Sequence, residues 1–119
     1  MGLPAWLIQR RGRVTLPKPI AEYFTAANSG DADRVAACFA EDAVVRDEGH
    51  VRQGRAAILD WAAEVRRKYR FHAEILSIEE ASDQTLVTAH LTGDFPGNPL
   101  DLRYRFKLAG GEIVSLDIG

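Results

Sequence analysis

At Phe71 the spacing of apolar residues along the chain changes, and that change limits the fold more than any other feature. Before Phe71 the apolar residues recur every three or four positions, as on the face of a helix. After it they alternate with a period of two, as on the face of a sheet. Strands are expected near 71–80, 85–95, 100–108 and 112–118, separated by the turn-forming stretches "ASDQ", "PGNP" and "AGG". Each connection is too short for a crossover, so the four strands form an antiparallel meander.

The first half of the chain must therefore supply the cover for that sheet. Pro17 and Pro19 suit a helix's first turn, where the missing N–H has no partner to lose. Ile20, Phe24 and Ala27 then make one apolar stripe. In "NSGD", Gly30 suits the left-handed C′ position and Asp31 the N-cap of a second, short helix over about 32–39, with Val35 and Phe39 inward. "AVV" at 43–45 is a first strand, and "DEGH" is a turn into a short return near Val51. In "GRAAILDWAAEVRRKY", Ile58, Trp61, Ala62, Val65 and Tyr69 share one helical face, with charges on the other. The expected fold is α+β: three N-terminal helices packed on one face of a curved antiparallel sheet.

A chain of 119 residues is one domain, and a 46% hydrophobic content is ordinary for a globular protein. The net charge of −2 gives no reason to expect nucleic acid or an anionic membrane as partner. Arg10, Arg11 and Arg13 put +3 on the first thirteen residues, leaving −5 on the remainder. Residues 1–16 fit poorly with the rest and are expected to be a flexible extension, with the domain spanning 17–119. Cys38 is single, so no intrachain disulfide is available and it is expected to be a packed core residue. No apolar run approaches the roughly 20 residues of a membrane span, and "MGLPAWLIQRRGR" has its charges on the wrong side for a secretory signal. A cytoplasmic location is expected. His50, His72 and His90 fall on separate elements without ligand spacing, so neither a metal nor another cofactor is expected.

Three stretches, "EYFTAANSGDADRVAACFAEDAVVRDEG", "GRAAILDW" and "YRFKLAGGEIVSLDI", resemble the nuclear transport factor 2-like superfamily, in its SnoaL-like polyketide cyclase and ketosteroid isomerase-like branches. The resemblance covers about residues 17–119. It implies a cone-shaped sheet whose pocket takes a small apolar molecule, and a homodimer formed through the sheet face. It also implies that the first thirteen residues are an extension, with Val14 as the natural start.

In the isomerase pattern a Tyr precedes the Asp of "N-x-G-D" by eight residues, and the base Asp follows it by sixteen. Those places hold Tyr23, Asp31 and Asp47. The resemblance thus makes Asp47 an acid/base and Tyr23 a hydrogen-bond donor to an oxyanion. A carboxylate at an apolar wall has raised basicity and can take a proton from carbon beside a carbonyl. The isomerase's second oxyanion donor, an acid on a late strand, falls here on Leu102, while the adjacent Asp101 points to the opposite face. A steroid isomerase is therefore not expected, and the cyclase-like reading survives better. Phe24, Phe39, Trp61, His72, Leu102, Tyr104 and Leu116 are expected to line the pocket.

Each of these residues also has a plainer reading. Tyr23 is equally an amphipathic residue at a helix edge, Asp47 an ordinary turn acid, and Trp61 a core residue. In "FHAEIL" either 72 and 74 or 71 and 73 turn inward. Arg103 and Arg105 are expected on the outer, solvated or dimer-facing side. A non-catalytic ligand-binding or dimerisation module of the same fold stands as the alternative function.

Overall fold

In a computed structural model of the chain, residues 16–119 are described; the extension expected over 1–16 lies, save for Leu16, outside the described residues. Three helices, α1 (Lys18–Ser29), α2 (Ala32–Ala37) and α3 (Arg55–Tyr69), pack on one six-stranded sheet. The strands are β1 (Phe39–Asp47), β2 (His50–Gln53), β3 (His72–Ala81), β4 (Gln84–Thr92), β5 (Leu100–Ala109) and β6 (Glu112–Ile118). Their order across the sheet is β2-β1-β6-β5-β4-β3. The meander β3–β6 is antiparallel as its short connections require. One junction was not foreseen: β1 pairs parallel to β6, with Val45 opposite Leu116. That pairing joins the two halves of the chain into one sheet.

Local chemistry explains the element ends. Pro17 precedes α1, and Gly30, with φ of 75°, ends it. Asp31 caps α2 by accepting a hydrogen bond from the Arg34 amide at 3.1 Å. Phe39, expected at the end of α2, instead begins β1 opposite Ile113. Two donors of Arg55, Nε and Nη2, hold the Phe39 carbonyl at 3.1 and 2.8 Å. Glu48 and Gly49 both have positive φ, 54° and 76°, and turn β1 tightly into β2 with Asp47 opposite His50.

The inner face of the sheet is apolar, with Val45, Val87, Ala89, Phe106 and Leu116 buried. α1 meets this face through Tyr23 and Phe24, whose rings contact Tyr104 and Phe106 edge-on at centroid distances of 5.0–6.3 Å. The end of α1 is pinned as well. Asn28 donates to the Ala73 carbonyl at 2.9 Å and accepts from the Ala73 amide at 2.8 Å. This clamp satisfies backbone groups on an edge strand that would otherwise lie unpaired.

β4 stops at Thr92, three residues short of the expected 95, because the chain there turns onto the end of α3. The Asp94 amide donates to the Tyr69 carbonyl at 2.7 Å. A Cβ at Gly93 would sit 2.8 Å from both Phe71 Cα and the Tyr69 carbonyl oxygen. Neither is a flexible side-chain end, so the backbone itself would have to move. Gly93→Ala is therefore expected to cost about 1–3 kcal/mol, measured as a shift in the urea unfolding midpoint. An unchanged midpoint would show that the 93–99 segment is not packed in this way.

Candidate active site

The helices cover only part of the concave face, and a cavity of about 580 Å³ remains between α1, α2, α3 and the sheet. This is within the size range of small-molecule sites. Tyr23 and Ala27 border it from α1, Val35 from α2, and Trp61, Val65 and Tyr69 from α3. The sheet contributes Asp47, Leu91, Leu102, Tyr104 and Ile118, and the β4–β5 segment closes one side with Phe95.

Asp47 is the last residue of β1 and shares the inner face with the fully buried Val45. It is half-buried, and the Trp61 indole Nε1–H donates to its Oδ2 at 3.0 Å. Burial pushes its carboxyl above the usual carboxylate range, and the neighbouring Glu48 charge adds to this. The Trp61 hydrogen bond, the Arg52 charge and a hydrogen bond from the Glu48 backbone pull the other way, but burial is the larger effect. Asp47 is thus a carboxylate on an apolar cavity wall, oriented by an indole. Its neighbour Glu48 is exposed at the rim, where the Tyr69 hydroxyl donates to it at 3.0 Å.

Tyr23 is 4% exposed, so it is a buried residue of the cavity and not a water-facing helix edge. Burial raises its pKa strongly, with Tyr104 and Asp47 adding to the effect. Among the described residues its hydroxyl has no hydrogen-bond partner. Trp61, Leu102 and Tyr104 also border the cavity. Trp61 is both core and wall, and the cavity stays open beside it.

Four residues expected in the lining are elsewhere. Phe24, Phe39 and Leu116 are buried in the core outside the cavity wall, on α1 and on the sheet strands β1 and β6. His72 is exposed on the outer face, with Glu74. The reason is the phase of β3: Phe71, Ala73 and Ile75 turn inward, and the Asn28 clamp on Ala73 holds that phase. Conversely, Tyr69, Leu91 and Phe95 line the cavity without having been singled out for it. Tyr69 was legible on the inner face of α3 and Leu91 in the alternation of β4. Phe95 follows the last paired residue, where no periodic pattern exists.

Asp101 lies on the outer face and bonds His90 at 2.7 Å, as strand alternation required. Arg103 is exposed on that same side. Cys38 is buried, and its thiol is pushed up to about 11, chiefly by burial. Among the described residues no three His, Cys, Asp or Glu side chains gather at metal-binding distance. No described helix is long and apolar enough to cross a membrane.

Comparison with known proteins places this geometry in a family. The SnoaL-like domain model matches residues 20–116, and the chain belongs to that family. A proposed polyketide cyclase from Sinorhizobium meliloti is 39% identical, with a TM-score of 0.84 over 87% of this chain and 95% of that one. SalBIII, described as an epoxide hydrolase/cyclase-like enzyme acting in pyran ring formation in the polyether salinomycin, is 25% identical. Its TM-score is 0.73, over 85% of this chain and 86% of that one. A ketosteroid isomerase-like fold from Catenulispora acidiphila matches at 22% identity and a TM-score of 0.78, over 88% and 86% of the two chains. No curated protein matches the chain.

Two predictions follow from Asp47's surroundings. Trp61→Phe removes the hydrogen bond that favours the charged carboxylate and should raise the Asp47 pKa further, read by carboxyl ¹³C NMR titration. A fall would overturn the assignment. The second concerns stability. A carboxyl whose folded pKa is raised gives stability that is full below its unfolded pKa, about 3.9, and lost as pH rises through the folded value. Asp47→Asn keeps an oxygen for the indole and removes the charge. Urea unfolding should therefore show it more stable than the native chain at neutral pH, with the advantage vanishing below about pH 4.

Proposed function

We propose that the chain binds a small, largely apolar carbonyl compound in the conical cavity and moves a proton at the carbon next to the carbonyl, as an isomerase or cyclase does. The observation that carries this reading is the Asp47 carboxylate, raised in basicity on an apolar wall and oriented by Trp61. Asp47 accepts the proton as the C–H bond breaks, and the bond's electron pair becomes the new C=C bond. The carbonyl π electrons move to oxygen, where the Tyr23 hydroxyl donates a hydrogen bond to the developing charge. The proton then returns from Asp47 to carbon, at the same position or at a conjugated one. In a cyclase the enolate carbon would instead attack a second carbonyl carbon of the same molecule, whose π electrons move to its oxygen and take up the proton held by Asp47.

The largely apolar lining supports this reading, because donors and base act more strongly in a site of low polarity. The resemblance in sequence to a proposed polyketide cyclase supports the same class of chemistry. A dimerisation module with a filled pocket is less well supported, since Trp61 and Tyr104 stand as walls of an open cavity.

The test is exchange of α-protons for deuterium, followed by NMR over a panel of cyclic ketones and 1,3-diketones. The native chain should accelerate exchange for at least one compound. Asp47→Asn should lower that rate by about 10²–10⁴ while the same ketone still binds. Equal exchange by the native chain and the variant would remove Asp47 as the base.

A further inference from the structure

Four polar aromatic side chains surround the cavity, and they divide into two kinds. The Trp61 indole is engaged with Asp47, and the Tyr69 hydroxyl with Glu48. Tyr23 and Tyr104 are different: among the described residues, neither hydroxyl has a hydrogen-bond partner. Neither hydroxyl is sealed in the core, where a missing partner would be costly: among the described residues the one side-chain polar atom buried without a partner is Arg52 Nε. Both rings are buried, at 4% and 3% exposure, and both border the same cavity.

We propose that Tyr104 is the second hydrogen-bond donor of the site, so that Tyr23 and Tyr104 together hold one oxygen of the ligand. The proposal rests on the proton-transfer reading above and narrows its ligand. The ligand carries an enolisable carbonyl, or a phenol-like hydroxyl, on an otherwise apolar frame.

The position of Tyr104 supports this in three ways. It lies two residues beyond Leu102 on β5, and strand alternation puts both on the inner face. Leu102 cannot donate a hydrogen bond, but a phenol one step along the same face, bordering the same cavity, can. The ring is also held in place. It stacks on Phe106, with centroids 6.2 Å apart and planes 9° apart, and meets Phe24 edge-on at 5.0 Å. Finally, the two donors are neighbours, since the Tyr23 and Tyr104 centroids are 6.3 Å apart. Burial, with the Asp47 charge nearby, pushes the Tyr104 pKa up, so its proton stays available for donation.

The geometry requires nothing of the outer face, which makes His72→Ala a suitable control. The probe is 4-nitrophenol, whose phenolate resembles an enolate and absorbs visibly. Asp47→Asn is the parent for binding, so that the phenolate meets no second negative charge. Tyr23→Phe and Tyr104→Phe in this parent should each weaken phenolate binding by about tenfold or more, and His72→Ala should leave it unchanged. A second measurement needs no tyrosine variant. In the parent labelled with [¹³Cζ]tyrosine, the signals of Tyr23 and Tyr104 should both move on adding the probe.

If Tyr104→Phe binds the phenolate as tightly as the parent while Tyr23→Phe does not, Tyr104 is only wall and the proposal fails. Failure of the parent to bind the phenolate also overturns it, and leaves Asp47 to be judged by the exchange experiment alone. Phenolate binding that depends on both tyrosines, without ketone exchange by the native chain, would retain the paired donors and remove the base.

Discussion

The seating of α1 on the sheet governs the rest of the site. Tyr23 meets Phe39, Tyr104 and Phe106 edge-on and Phe24 meets the last two, at 5.0–6.3 Å between centroids, so two strands, β1 and β5, hold one helix. Aromatic pairs of this kind contribute about 0.5–1.5 kcal/mol each beyond the area they bury. Because the rings share neighbours, α1 cannot slide without breaking several pairs at once. The Asn28 clamp on Ala73 fixes the other end of the helix against the edge strand. Part of this cluster is core and part is cavity wall: Phe24, Phe39 and Phe106 are sealed in, while Tyr23 and Tyr104 border the open space.

That arrangement sets the electrostatics of Asp47. An apolar wall disfavours its charge, and the Trp61 hydrogen bond restores part of what burial removes. The two effects oppose each other, and burial prevails. A carboxylate so placed lowers the stability of the folded chain at neutral pH and raises its own basicity by the same interaction. A turn acid in water would show neither effect. The unfavourable burial is therefore the physical property that makes Asp47 a stronger proton acceptor than a surface aspartate.

The sequence revealed those parts of the fold that depend on neighbours in the chain. The stripe of Ile20, Phe24 and Ala27, the cap at Asp31 and the turn at Glu48–Gly49 are local, and each appears where its residues required. The parallel pairing of β1 with β6 is not local, and nothing in either strand alone specifies it. His72 shows a different limit. β3 has apolar residues in both phases, Phe71, Ala73 and Ile75 against Leu76, and a register shift follows Ile75. Its orientation is decided by Asn28, forty-five residues away. Phe24, Phe39 and Leu116 were legible as buried residues, but periodicity does not say which buried residues border a cavity.

Two adjacent carboxylates, Asp47 and Glu48, end β1, and the fold keeps their roles apart. Alternation along β1 puts Asp47 on the same face as Val45, toward the cavity. The positive φ at Glu48 takes the chain out of the strand at the next residue, and Tyr69 then holds the Glu48 carboxylate at the rim. Were both acids inside, each would resist the other's ionisation, and one would remain protonated. With Glu48 outside, its charge still raises Asp47's basicity, while its volume and its hydration stay out of the cavity. Tyr69 can supply this restraint because it is committed to Glu48 and unavailable to a ligand. Among the described residues, the tyrosine hydroxyls left for a ligand are those of Tyr23 and Tyr104, which burial keeps protonated. A single carboxylate of raised basicity beside two hydroxyls that are unpartnered among the described residues suits a ligand with one reactive oxygen better than one with several charges.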